Sequence, residues 1–327
     1  MKKYGLLFPG QGAQVVGMGR SLYELQPAAR WVFDRANEVL GRDIKGLCFE
    51  GPEDELATTA NSQPAIFTTS IATLNVLVEK LKGGPVGEEG REIFSPEDIK
   101  EIGSVVMGLS LGEPTALVAS GAMTFEEGLR FVEHRGKFME EASKKEPGKM
   151  ASIMGLDLKE VENICMGIGC QVANLNCPGQ VVISGYATKV ELAADIAKNK
   201  GAKRAIILKV SGAFHSELMT DAKEKLKALL EDIEIKEPGV DFISNIDAEI
   251  TLDPEKIKTN LADQLDNRTL WEASVKKAAS MDIKDYLEIG PGSVLKGLIR
   301  KIDSDLNVSS IHTMEDIDLL LEETPKS

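Results

Sequence analysis

The sequence predicts an α/β fold, a large domain interrupted by a smaller α/β insertion. Three observations predict it. Two short apolar runs, Tyr4–Phe8 and Ile102–Gly108, read as buried strands that end at glycine-containing turns and are followed by helical patterns. From Lys149 the pattern changes and reads β-α-β-β-α-β before α/β character returns after Ser211. The chain has 327 residues, 43% hydrophobic and 28% charged, which suits a globular protein large enough for two domains.

In chain order, Y-G-L-L-F at 4–8 is the first strand, closed by a tight turn at Pro9–Gly10. Helical patterns follow at 20–40 and 64–81. K-G-G-P-V-G-E-E-G-R, Lys82 to Arg91, reads as a surface loop that tolerates insertion. The strand at 102–108 leads into a helical run with Pro114 in its first turn, where the missing N–H costs little. A helix at about 124–145 ends in K-K-E-P-G. Ala151–Leu156, Gln171–Leu175, Val181–Ser184 and Arg204–Val210 read as strands, with helices at Lys159–Gly167 and Lys189–Lys200. That order is ferredoxin-like, and the expected division is 148–210 for the insertion and 1–147 with 211–327 for the large subdomain. Leu287–Ile289, before G-P-G, reads as a further strand.

Composition excludes several functions. A formal charge of −14, from 52 acidic and 38 basic side chains, repels a phosphate backbone, so no nucleic acid is expected. Cys48, Cys165, Cys170 and Cys177 form no C-x-x-C pair and lie far in sequence from the three histidines. No metal site is expected, and free thiols suit a reducing cytoplasm. Pro9 stops the N-terminal apolar run short of a secretory segment, and no run is long enough to span a bilayer, so a cytoplasmic protein without membrane contact is expected. G-Q-G-A-Q-V-V-G departs from G-x-G-x-x-G, and no G-K-[ST] follows it, which argues against a nucleotide cradle.

The strongest chemical signal is G-L-S-L-G at 108–112. In a nucleophile elbow a strand turns sharply into a helix so that one serine oxygen stands exposed, and the flanking glycines permit close approach. The helix that follows aims N–H groups and its positive dipole end at developing negative charge. Alone, the pentapeptide reads equally well as small residues packed at a strand–helix turn. Ser110 would also need a base, and only His134, His215 and His312 are available. His134 falls in a helical pattern beside Arg135, His312 has no motif around it, and His215 sits in G-A-F-H-S, a loop-like setting.

Six segments occur in order: F-P-G-Q-G-A-Q at 8–14, G-L-S-L-G-E at 108–113, R-G-K-F-M at 135–139, N-x-N-x-P-G-Q-V-V-I-S-G at 174–185, G-A-F-H-S at 212–216 and E-I-G-P-G-S-V-L-x-G-L at 288–298. Together they resemble malonyl-CoA:acyl carrier protein transacylases, over residue 4 to about residue 302. The resemblance implies a large α/β subdomain, hydrolase-like at the serine elbow, with an inserted ferredoxin-like (βαββαβ) subdomain. It implies malonyl transfer from malonyl-CoA to the phosphopantetheine thiol of acyl carrier protein through a malonyl-serine, in fatty acid biosynthesis. Ser110 and His215 would be catalytic, with the main-chain carbonyl of Gln264 orienting His215. The N–H groups of Gln11 and Leu111 would form the oxyanion hole, and Arg135 would hold the malonyl carboxylate. Phe214 matches a malonyl-type pocket, with Met139 and Asn174 lining it. Malonyl-CoA and acyl carrier protein are the implied partners of a monomer that needs no metal or redox cofactor.

Leu109 departs from the family, many members of which carry His there, and so does Pro114, where a larger residue is common. A loading acyltransferase of polyketide synthesis shares the chemistry, a serine hydrolase or thioesterase would use water as acceptor, and a non-catalytic scaffold would use none of it. Because carrier proteins are usually acidic, Lys203, Arg204, Lys296 and Arg300 are the expected docking patch.

Overall fold

The computed structural model describes residues 3–84 and 93–323, so most of the glycine-rich loop read at Lys82–Arg91 lies outside the described residues. The strands are β1 (Tyr4–Phe8), β2 (Gly103–Gly108), β3 (Gly148–Met154), β4 (Gln171–Cys177), β5 (Gln180–Tyr186), β6 (Arg204–Ile207), β7 (Asp241–Phe242), β8 (Asp285–Ile289) and β9 (Asn307–Ile311). Before the first crossover is complete come the helices α1 (Arg20–Leu25), α2 (Pro27–Leu40), α3 (Ile44–Glu50), α4 (Glu53–Leu56), α5 (Thr59–Lys82) and α6 (Pro96–Ile102). Then follow α7 (Gly112–Ala119), α8 (Phe125–Lys145), α9 (Leu158–Ile168), α10 (Ala187–Asn199) and α11 (Thr220–Glu231). The last are α12 (Pro254–Asp263), α13 (Trp271–Ala279), α14 (Val294–Ile302) and α15 (Met314–Glu323).

β1 is buried at all five positions, and it needs to be, because it lies in the middle of a sheet covered on both faces. The order is β7-β2-β1-β8-β9, with every pair parallel. On one face α5 is buried from Ser62 to Val78, and its Phe67 and Ile71 share a core with Phe33 of α2 and Phe131 of α8. On the other, Trp271 and Val275 of α13 pack with Leu295 and Ile299 of α14 against Leu7 and Val105. None of the helices among the described residues is long and apolar enough to cross a membrane.

Residues 148–207 form a second, antiparallel sheet in the order β4-β5-β3-β6. α9 and α10 cover it, burying Val161, Ile164, Val190 and Ala194 against Ile153, Val172 and Ile183. The succession β-α-β-β-α-β is the one that the periodicity predicts. β6 ends at Ile207 rather than Val210, since Leu208 and Val210 leave the strand to line the cleft described below.

The helical pattern at 20–40 is broken in two. Gln26 precedes a proline, is driven to an extended conformation (φ −126°, ψ 119°) and separates α1 from α2. In contrast, α5 begins at Thr59, and Pro64 lies inside it rather than at its start. Pro64 has no N–H for the carbonyl of Ala60, and Arg42 supplies the missing donor through Nη2 at 3.3 Å. The same guanidinium pairs with Glu133 of α8 at 2.7 Å, so a tertiary contact lets the helix run through its proline.

Between β2 and α7 the chain reverses within a few residues. A Cβ on Gly108 would lie 2.1 Å from the carbonyl of Gly112, and one on Gly112 would lie 2.0 Å from the carbonyl oxygen of Phe8. The elbow thus tolerates only glycine on both sides, and it presses against the end of β1. Gly112→Ala should cost about 3 kcal/mol or more, because backbone must move. Gly297→Ala, exposed in α14 with nothing within 4 Å of its new methyl, should be stabilising by ~0.5–1 kcal/mol. Urea unfolding midpoints compare the two, and equal effects would contradict the steric reading of the elbow.

Candidate active site

The parallel strands β1 and β2 are neighbours, with Phe8 paired to Gly108, so the segments after their carboxyl ends emerge side by side. One carries Gln11 and the other Ser110. Ser110 has φ 52°, a left-handed conformation uncommon outside glycine. Asn245, just after β7, clamps it. Its Oδ1 accepts the Ser110 N–H at 2.7 Å, and its Nδ2 donates to the Gly108 carbonyl at 2.7 Å. One side chain therefore holds both sides of the strained turn.

Ser110 Oγ lies 2.9 Å from His215 Nε2. His215 also has positive φ, 58°, and its N–H donates to the Leu265 carbonyl at 3.0 Å. On the far side of the ring, Nδ1 lies 2.7 Å from the main-chain oxygen of Gln264. A carbonyl only accepts, so Nδ1 carries the proton and Nε2 presents a lone pair to the Ser110 hydroxyl. Burial pushes the imidazole pKa down to about 4 and the charge of Arg135 adds to this, against the hydrogen bond to Gln264. The ring is neutral at pH 7 and can accept the serine proton.

Arg135, on α8, is 1% exposed. Its Nη2 donates to Ser110 Oγ at 3.1 Å and to Gln264 Oε1 at 2.8 Å, and its Nη1 donates to Gln63 Oε1 at 2.9 Å. All three partners are neutral. Burial lowers its pKa to about 10, with the nearby charge of Glu113 opposing, so it keeps its charge at neutral pH. The sequence placed this arginine on a helix, where a solvated side chain is the usual outcome. The structure instead puts a buried cation against the serine oxygen with no carboxylate in direct contact among the described residues.

The N–H groups of Gln11 and Leu111 have no acceptor among the described residues, and Leu111 is the N-cap of α7. The Gln11 side chain is tied back by Nε2 to Thr59 Oγ1 at 3.2 Å. Ser110, His215, Gln11, Met139, Asn174 and Phe214 line one cleft of about 200 Å³. The Met139 sulfur accepts from Gln63 Nε2 at 3.3 Å, and Asn174 is fixed to Thr269 Oγ1 at 2.6 Å. Leu109 lines the same cleft, and Pro114 sits buried in the first turn of α7. A larger cavity, about 580 Å³, opens beside Lys159, Met166 and Arg268 and, among the described residues, shares His215 with this site.

The structure therefore brings Ser110, His215, Arg135 and Gln264 into one hydrogen-bonded group. His134 bonds the Arg130 carbonyl within its own helix and His312 pairs with Asp316, away from that group. Lys203, Arg204, Lys296 and Arg300 are exposed. The first two stand at the start of β6 and the others on α14, whose Val294 and Leu298 line the cleft. Among the described residues, no set of three or more His, Cys, Asp or Glu is arranged to hold a metal ion. Sequence reasoning missed Gln63 and Asn245, and gave Glu113 no role. Glu113 stands in the quoted G-L-S-L-G-E segment. Asn245 follows the apolar end of a short strand, and Gln63 is one of several polar residues in the long buried helix α5, weak signals in both cases.

The family model of an acyl transferase domain matches residues 6–315. The malonyl CoA-acyl carrier protein transacylase of Bacillus subtilis (strain 168) is 45% identical, over 98% of this chain and 97% of that protein. The crystal structure of an acyl-carrier-protein-S-malonyltransferase from Bartonella henselae superposes with a TM-score of 0.90 at 37% identity, covering 98% of this chain and 99% of that one. A malonyl-transacylase in complex with its type II PKS acyl-carrier protein also matches with a TM-score of 0.90, at 36% identity over 99% of this chain and 100% of the other. The strained serine elbow, its neutral histidine and its two-sheet architecture thus sit in a chain that belongs to the acyl transferase family, among the malonyl CoA-acyl carrier protein transacylases.

Proposed function

We propose that this protein transfers the malonyl group of malonyl-CoA to the phosphopantetheine thiol of acyl carrier protein, in fatty acid synthesis, through malonyl-Ser110. The observation that carries the reading is Arg135, a buried guanidinium 3.1 Å from Ser110 Oγ with only neutral partners. A malonyl ester on that oxygen brings its free carboxylate to the cation, which an acetyl ester cannot do. Such a charge has no partner in a hydrolase of uncharged acyl esters.

His215 Nε2 takes the hydroxyl proton as Ser110 Oγ attacks the thioester carbonyl carbon. The carbonyl oxygen becomes an oxyanion held by the Gln11 and Leu111 N–H groups, and one such donor contributes on the order of 3 kcal/mol. The C–S bond then breaks, and the proton on Nε2 passes to the departing thiolate of coenzyme A. In the second half, the carrier's thiol gives its proton to His215 and attacks the ester. Oγ leaves and recovers the proton. Arg135 holds the carboxylate through both halves, and Met139, Phe214 and Asn174 shape the space around it. Each step balances without a metal or redox cofactor. The carrier docks on the exposed Lys203, Arg204, Lys296 and Arg300, and the chain acts as a monomer. All four cysteines are buried and free, which supports a cytoplasmic setting.

Mass spectrometry after incubation with malonyl-CoA should place one malonyl group on Ser110, and adding carrier protein should move it to the phosphopantetheine arm. Release mainly as free malonate would overturn the reading in favour of a hydrolase. Arg135→Ala should lower malonyl transfer by about 100-fold, as expected when charged hydrogen bonds are lost. Acetyl transfer should hold or rise, and equal loss of both rates would make Arg135 structural.

A further inference from the structure

Beneath the elbow lies a charged group that the mechanism above does not use. Glu113, in the first turn of α7, is 1% exposed. One of its oxygens accepts the Asn245 N–H at 2.8 Å, and the other accepts from Gln264 Nε2, while the Ser244 hydroxyl also donates to it. The first two of these donors, Asn245 and Gln264, are the residues that hold the reacting groups. Asn245 clamps Ser110. Gln264 accepts from Arg135 through Oε1, accepts from His215 through its main-chain oxygen, and reaches the Ser110 carbonyl through Nε2 at 3.3 Å.

We propose that Glu113 is a positioning residue for the acyl transfer, an acceptor-only group that sets Asn245 and Gln264 and, through them, Ser110, His215 and Arg135. The inference rests on the acyl-transfer reading above. Its physical core is the polarity of the Gln264 amide. A carboxylate accepts at both oxygens, so the Gln264 NH2 must face it and Oε1 must face Arg135. A neutral amide in place of the carboxylate presents a donor of its own. That donor meets the Asn245 N–H or the Gln264 NH2, and relief by turning the Gln264 amide would aim NH2 at the guanidinium. Burial pushes the Glu113 carboxyl up to about 7, opposed by the donors from Asn245 and Ser244 and by the charge of Arg135. Both groups that the geometry places on its oxygens, the Asn245 N–H and Gln264 Nε2, donate, which favours the ionised, acceptor-only form over the protonated one.

The test compares malonyl and acetyl transfer by the wild-type chain and three variants, with thermal unfolding as a parallel readout. Glu113→Gln preserves shape. It should cut malonyl transfer roughly 100-fold, the size expected for a small misplacement of reacting groups. It should also reduce the preference for malonyl over acetyl by about tenfold or more, since the support of Arg135 is lost. Gln264→Met keeps the main-chain carbonyl for His215 but removes the Arg135 acceptor, so it should lose the preference with a smaller loss of acetyl transfer. Asn245→Ala should slow both transfers alike and keep the preference. A carboxylate that merely stabilises the fold would lower the melting temperature of Glu113→Gln and leave its preference intact, which overturns the inference. Should Glu113→Gln fail to fold, an unchanged preference in Gln264→Met overturns it equally. A wild-type chain that moves neither acyl group overturns the acyl-transfer reading itself, a result separable from a normal wild type with insensitive variants.

Discussion

The hydrogen bond from His215 Nδ1 to the main-chain oxygen of Gln264, 2.7 Å long, is the constraint on which the rest of the site depends. It fixes which ring nitrogen carries the proton, and so fixes that Nε2 faces Ser110 as an acceptor. A carboxylate in that place would hold the ring equally well and would also favour its charged form. A neutral carbonyl orients without that charge, and the imidazole stays a base that is empty at neutral pH. The buried guanidinium of Arg135 pushes in the same direction. The cation proposed to select the acyl group therefore also keeps the proposed base unprotonated, and one residue couples specificity to reactivity.

Steric necessity and packing made some of this legible in sequence. G-x-S-x-G can be read because its glycines stand where a Cβ would strike backbone at 2.1 and 2.0 Å, so no other residue substitutes locally. The small antiparallel subdomain can be read because its strands and helices alternate with clear periods, each burying one face. What could not be read depends on partners distant along the chain. α5 runs through Pro64 because Arg42 reaches the Ala60 carbonyl, which no local pattern announces. Asn245 meets Ser110 across 135 positions. β9, N-V-S-S-I, is a polar edge strand without the apolar run that marked β1. Gln264 acts on His215 through its main chain, so the side chain at that position advertises nothing of that contact, although it serves Arg135 and Glu113.

The charge of the molecule and the charge of the site have opposite signs. The chain carries −14, yet the Ser110 oxygen is met from behind by a buried arginine. Burying an ion without a partner is costly, and the cost is met here by three neutral hydrogen-bond acceptors and by Glu113 at longer range. The malonyl carboxylate of the proposed reaction would add the charged partner that this arrangement lacks in direct contact. The arrangement also explains why the elbow strain at Ser110 is so firmly held: the clamp, the base and the cation all share the few polar residues that lie beneath it.

The most direct measurement of this account is nitrogen NMR of the protein with 15N-labelled histidine, the His215 signals being assigned against variants of the other two histidines. A neutral ring is predicted, protonated at Nδ1 and bare at Nε2 throughout the neutral range. Because the folded value lies below the ordinary histidine value, the ring should take up its second proton only as the pH falls toward about 4. An imidazolium at pH 7, or a ring protonated at Nε2 instead of Nδ1, would contradict the account.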